Sequence, residues 1–409
     1  MIPPQTLPSP GIIYVAREEP VHGRAPALQV THTLDGLAQA GASVQFVTPW
    51  PADRIRRFHR QATGRDLSDA IEIASIGSGP DLPFLWRWWP SPVWSGIRRR
   101  LQRHLARCAR GGRCVLYTRN RRVAADLADV GMPVVFECHE LRALTLAQRD
   151  RLPADHPRIR AVRREEMRAL RNIRMLVTIT RPLADDLVAA YAYHGPVRVI
   201  PDGVDPALFA IAPEQRCPQP GRFLYVGSLL AWKGLALALG ALRSVPAATL
   251  DICGGTPGSR DWALLEDAAR RLGVRQRIRM HGTLPQAELR PLMAQAVAGI
   301  LPLDGRYAIA ARHTSPLKLF EYLCAGLPVI ATDVPSVRDI VADEREALLF
   351  ADGDEKALAG AMQRILNDAG LAARLSAAAT ATSQDYTWRR RGQRIIEACT
   401  AAVEGSAGR

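Results

Sequence analysis

Lysine is nearly absent from this chain: of 54 cationic side chains only Lys233, Lys318 and Lys356 are lysines. Part of its basicity is therefore a compositional habit in which arginine is the default cation. Long apolar runs are missing too, and with no stretch of about 18 apolar residues no membrane-spanning helix is expected. The seven cysteines are odd in number and show no C-x-x-C spacing. That excludes a disulfide framework and a zinc site, fits a reducing compartment and leaves no metal expected. Met1-Ile2-Pro3-Pro4 opens no basic, then apolar, leader, so a cytoplasmic location is expected.

What is present is enough for two domains: 409 residues, 47% of them apolar, with no low-complexity tract. The formal charge of +14 is uneven, with 29 basic against 18 acidic residues up to Ala190 and 25 against 22 thereafter. A basic first half suggests an anionic surface or substrate, and a solvated basic face reads the same way.

Short apolar segments alternate with helical patterns. Strands are predicted at 11–16, 43–48, 114–117, 134–137, 175–179 and 197–200, and then again at 223–227, 249–253, 278–280, 298–301, 329–331 and 347–350. Between the first two, Leu28, Thr31, Leu34, Leu37 and Ala38 keep helical spacing until Gly41, which makes a parallel βαβ unit. Pro201, Pro206, Pro213, Pro218 and Pro220 break regular structure between the two series and mark a hinge.

Residues 314–333 read as loop, helix, glycine stop and strand. Ser315 suits the N-cap and Pro316 the first helical position, with Leu319, Tyr322 and Leu323 in register before Gly326. Such a helix start offers unpaired N–H groups and a positive dipole end to an anion such as a diphosphate. Lys318 and Glu321 fall in its first two turns, where a cation meets phosphate and a carboxylate accepts hydrogen bonds from sugar hydroxyls. In isolation, an ordinary capped helix between two strands looks the same.

Five segments in order, at 200–205, 223–234, 251–255, 281–284 and 314–333, resemble the family-4 retaining glycosyltransferases of the GT-B fold. The branch is the one carrying Ser-Pro-Leu-Lys-Leu-Phe-Glu-Tyr at the donor helix. The predicted architecture is α/β, two tandem Rossmann-like doubly wound domains facing across a cleft. An acceptor-binding domain spans 1–200, a hinge 201–221, a nucleotide-sugar domain 222–380, and a C-terminal helix at 381–409 packs back on the first domain.

The resemblance implies a hexose-type sugar moved, with retention and without a metal or other cofactor, from a UDP- or GDP-linked donor. A saccharide or lipid-linked acceptor would receive it, in cell-surface polysaccharide or glycolipid synthesis. Lys233 matches the lysine that neutralises the diphosphate, and His139 the histidine near the donor sugar and reaction centre. Glu321 matches the ribose-binding acid, while the peptide N–H groups around Thr314, Ser315, Leu317 and Lys318 would cradle phosphate. His281, Gly282 and Leu284 match the loop framing the base. Two positions depart from the pattern: His313 stands where the family has a glutamate, and Ser228 where it has an arginine. Arg306, Arg312 or His313 would have to supply what is missing. Glu18, Glu19 and Gly23 fall on the acceptor side, and Glu140 is adjacent to His139 and a candidate to orient it, although neighbouring strand residues point to opposite faces, which argues against direct contact.

Trp86, Trp88, Trp89 and Trp94 lie beside Arg98, Arg99 and Arg100, a pairing that suits the headgroup zone of the inner membrane face as well as a buried aromatic cluster under a basic helix. Other classes fare worse. A nucleotide-sugar epimerase on this fold would need a proton-abstracting carboxylate where His313 stands. A relative that only binds nucleotide sugar would also fit His313 and Ser228. The basic residues lack the aromatic framework of a nucleic-acid module, so no nucleic-acid partner is expected.

Overall fold

The strand segments are almost wholly apolar because helices cover both faces of each sheet. The computed structural model describes residues 9–21, 25–76, 91–110, 112–127 and 130–407. The first sheet has the order β3-β2-β1-β4-β5-β6-β7, with β1 Gly11–Val15, β2 Val44–Thr48, β3 Ile71–Ser75, β4 Cys114–Thr118, β5 Val134–Cys138, β6 Met175–Thr178 and β7 Val197–Val199. The second has the order β10-β9-β8-β11-β12-β13, with β8 Arg222–Val226, β9 Thr249–Cys253, β10 Ile278–Gly282, β11 Ala298–Leu301, β12 Val329–Thr332 and β13 Ala347–Phe350. All pairings within the two sheets are parallel. Strand order reverses beside β1 and beside β8, which puts a crevice at the carboxyl end of each sheet.

Three expectations need correction. Strand β3 was not anticipated, because Ile71-Glu72-Ile73-Ala74-Ser75 is a half-exposed edge that carries no apolar run. The 201–221 segment is not without regular structure: Pro206 and Pro213 open a short helix, Pro206–Phe209, and a 3₁₀ turn, Pro213–Gln215. A ring that fixes φ and lacks an N–H belongs at such a start. Strand ends also differ by a residue or so, with Ser43, Ile179 and Ile200 outside their strands.

The last helix, Trp388–Ala407, returns to the first sheet, where Ile395, Ala398, Cys399 and Ala402 join the core under β1, β4, β5 and β6. It crosses the first helix, Ala25–Gln39, through two glycines. A Cβ on Gly36 would lie 2.2 Å from the Trp388 carbonyl oxygen, and one on Gly392 would lie 2.3 Å from the Gly36 carbonyl oxygen. The absence of side chains there lets the backbones touch.

Hydrogen bonds cross between the two halves. Thr180 Oγ1 donates to the Arg312 carbonyl at 2.6 Å, Ala308 N–H to Gln148 Oε1 at 3.0 Å, and His32 Nε2 to Gln286 Oε1 at 2.7 Å. Among the described residues no helix is long and apolar enough to cross a membrane.

Candidate active site

The helix expected to bind the donor is Leu317–Cys324, one residue shorter at its start than predicted. Ser315 does not cap it. Its hydroxyl accepts the backbone N–H of Asp202 at 3.0 Å, so the hinge has taken the oxygen and the helix's first N–H groups are left without a side-chain cap. Lys318 and Glu321, three residues apart on one face, are 6% and 5% exposed. Lys318 Nζ has no hydrogen-bond partner among the described residues and lies 4.1 Å from the centre of the Tyr225 ring. It also sits against Gly227, at φ +148°, where a Cβ would come within 2.7 Å of the amine.

Lys233 ends a 3₁₀ turn, Ala231–Lys233, after β8, with Nζ 3.8 Å above the Trp232 ring. Burial pushes the Lys233 ammonium down to about 7. Burial, and then repulsion from Lys233, hold Lys318 well below the ordinary lysine range. Glu321 moves the other way: burial raises its carboxyl to about 7 against the opposing pull of Gln286 and Lys318. Gln286 Nε2 donates to Glu321 Oε1 at 2.8 Å. The site therefore holds two amines, that of Lys318 buried and bare and that of a half-buried Lys233 beside it, and a carboxylate with one oxygen spoken for.

On the first half, His139 follows β5. Its partner is Glu137, not the adjacent Glu140: His139 Nε2 lies 2.5 Å from Glu137 Oε1, while Glu140 pairs with Arg142 at 3.0 Å. Two-residue spacing puts Glu137 and His139 on the same side of the extended chain, a signal the sequence did carry. Glu18 pairs with Arg119 at 3.2 Å and Glu19 with Arg54 at 3.6 Å, so both acids meet guanidinium groups. Gly23, Trp86, Trp88 and Trp89 lie outside the described residues, as does the Trp94 side chain. Arg99 and Arg100 are exposed, and Arg98 is half-buried.

The residues expected to replace the missing family groups are engaged elsewhere. Arg306 is chelated by Asp304 at 2.7 and 2.9 Å, and Arg312 grips Asp186 at 2.7 and 2.8 Å. His313, fully buried in a π-helical turn, Ile309–His313, bonds the same carboxylate at 2.9 Å. Asp186 belongs to the helix Arg181–Tyr191 of the first half, so Arg312 and His313 fasten the halves together. The His281 side chain bonds Asp251 at 2.5 Å, which leaves the backbone around Gly282 as what the loop can present. Leu284 packs on the core, and the Ser228 carbonyl accepts from Tyr225 OH at 2.7 Å.

Residues 27–208 match the sequence profile of Glycosyltransferase Family 4, and residues 220–368 that of Glycosyl transferases group 1. The chain belongs to the family-4 glycosyltransferases. Among curated members, the D-inositol 3-phosphate glycosyltransferase of Jonesia denitrificans is 32% identical over 65% of this chain and 65% of its own length. The glycogen synthase of Mycobacterium tuberculosis strain CDC 1551 is 30% identical over 54% of this chain and 55% of its own. The alignments thus span somewhat more than half of these relatives. Among solved structures, sucrose-phosphate synthase from Thermosynechococcus elongatus superposes with a TM-score of 0.73 at 19% identity, covering 95% of this chain and 98% of the other. HepE from Anabaena, solved in complex with UDP-glucose, gives 0.68 at 15% identity, covering 95% and 98%. Both likenesses establish the GT-B fold.

Proposed function

We propose that the chain is a retaining, metal-independent glycosyltransferase of the Ser-Pro-Leu-Lys branch, moving a hexose-type sugar from a UDP- or GDP-linked donor to a saccharide or lipid-linked acceptor. The observation that carries the reading is the Lys318 amine, buried and bare at the mouth of the donor helix beside Lys233. Burying a cation without a partner is costly, and a diphosphate is the ligand that relieves the cost for both amines and the helix end together. A solved structure of the same fold was obtained with UDP-glucose, which agrees with that choice of ligand.

In the reaction, negative charge develops on the departing diphosphate as the anomeric carbon becomes oxocarbenium-like. Lys233, Lys318 and the free N–H groups of Leu317–Cys324 are fixed in place to receive it without reorganising. Glu321 Oε2 is left for the ribose hydroxyls, and His139 approaches the sugar from the other half. The donor phosphate takes the acceptor proton, so no side chain is assigned as general base. The basic first half, with exposed Arg99 and Arg100, suits an acceptor made at the inner face of the membrane and a role in surface polysaccharide or glycolipid synthesis.

Screening nucleotide sugars by thermal shift tests the donor, since a ligand at 100 times its Kd adds about 2.7 kcal/mol to the fold. Lys233→Ala should abolish that shift and lower turnover about a hundredfold, the usual loss when one charge-stabilising donor is removed. Turnover undiminished in the variant would end the reading.

A further inference from the structure

Glu137 is fully buried, yet it is ionised and satisfied on both oxygens. Oε1 takes His139 Nε2–H at 2.5 Å and Gln29 Nε2–H at 2.8 Å, while Oε2 takes the Tyr117 hydroxyl and faces Arg391 Nη2 at 3.0 Å. Burial alone would raise this carboxyl, but Arg391 and then the His139 hydrogen bond hold it at about 2. Arg391, 2% exposed, is the only cation that contacts the carboxylate directly among the described residues, and it comes from the C-terminal helix that crosses the first helix at Gly36. Asp202, Arg119 and the Tyr14 hydroxyl complete the charged and titratable surroundings.

A buried carboxylate only accepts, so the ring nitrogen facing it carries the proton. Nδ1 of His139 has no hydrogen bond among the described residues, and the side chain keeps 19% of its surface exposed. The ring is therefore clamped at one nitrogen and open at the other.

We propose that Glu137 is the positioning residue of His139: it fixes the ring with Nε2 protonated and turns Nδ1 toward the donor sugar as a hydrogen-bond acceptor. Arg391 from the C-terminal helix secures Glu137 in turn. The arrangement deepens the glycosyltransferase reading and rests on it for the identity of the sugar. A carboxylate behind a histidine sets tautomer and orientation at once, which a histidine alone on a loop does not achieve.

Two measurements test this. Nitrogen-15 spectra of the whole protein, with the His139 signals identified by their loss in His139→Ala, should show Nε2 protonated and Nδ1 bare. This arm needs no activity and no Glu137 variant. With UDP-glucose or GDP-mannose as donor, Glu137→Gln should lower kcat tenfold or more and leave the Kd of UDP within twofold. In the His139→Ala background the same change should lower kcat no further, because a residue that acts through another has nothing left to act on. A ring protonated at Nδ1, or losses that multiply in the double variant, would overturn the proposal. Failure of the wild-type chain to turn over either donor would count against the proposed reaction instead, and the tautomer would still decide the role of Glu137.

Discussion

Binding of a diphosphate should draw protons out of the buffer. Free Lys233 titrates at about 7 against an ordinary 10.5, and burial and the neighbouring Lys233 displace Lys318 in the same direction. At pH 8 about a tenth of Lys233 carries a proton. Pairing with phosphate oxygens restores the ordinary preference for the charged form, so Lys233 alone takes up close to one proton on binding, and Lys318 shifts the balance in the same direction. Glu321, at about 7, is already some nine-tenths ionised at pH 8 and alters the balance little. The sign is fixed: binding takes up protons, so affinity for UDP falls as pH rises above 7. With one proton taken up the fall is about tenfold per pH unit, and with two about a hundredfold. Calorimetric titration with UDP at pH 8, repeated in Tris, HEPES and phosphate, gives the count as the slope of observed heat against buffer ionisation enthalpy. A slope below half a proton would mean that both amines are charged before the ligand arrives or that the diphosphate binds elsewhere, and the electrostatic argument would fail.

Asp186→Asn removes the carboxylate shared by Arg312 and His313, which their hydrogen bonds hold below the usual range against the effect of burial. Because Asp186 is 26% exposed, the expected loss is moderate, about 1–2 kcal/mol in urea unfolding. A change under about 0.5 kcal/mol would show that the two residues do not fasten the halves. Gly36→Ala puts a methyl group 2.2 Å from a carbonyl oxygen of the C-terminal helix, and backbone on both sides cannot yield by rotation. A loss of about 2 kcal/mol or more is expected from such overpacking, read as a lower urea midpoint, and a midpoint equal to wild type would mean that the helices separate freely there.

Local pattern made much of the molecule legible. Mostly apolar segments of three to six residues located twelve of the thirteen strands, because most of these strands are buried on both faces. Lys318 and Glu321 could be read from their three-residue spacing behind a proline. What stayed hidden depends on contacts between distant segments. Gln286, His32 and Arg391 carry no local mark, since their partners lie 35, 254 and 254 positions away. Asp186 is likewise distant in sequence from Arg312 and His313, and without it both looked free to serve the donor. Glu137 is the exception, since its period-two relation to His139 is a local pattern that the chain itself displays.

The same long-range contacts explain how a site this unfavourable can persist in the absence of ligand. A bare buried ammonium and a buried carboxylate would each push the halves apart to admit water. Burial holds Lys318 well below the ordinary lysine range and raises Glu321 to about 7, so each avoids much of the cost by surrendering charge. Gln286 supplies one hydrogen bond to Glu321 and is itself held by His32, which stacks on Trp388 at 5.1 Å. Asp202 holds Ser315 while its carboxylate lies within reach of Gln29 and Arg391. The hinge, the first helix and the C-terminal helix thus all bear on the two ends of the donor helix's first turns. Charging the amines and seating the donor are on this account one equilibrium, because the phosphate oxygens that bind are also the partners that make the charged form of each amine favourable.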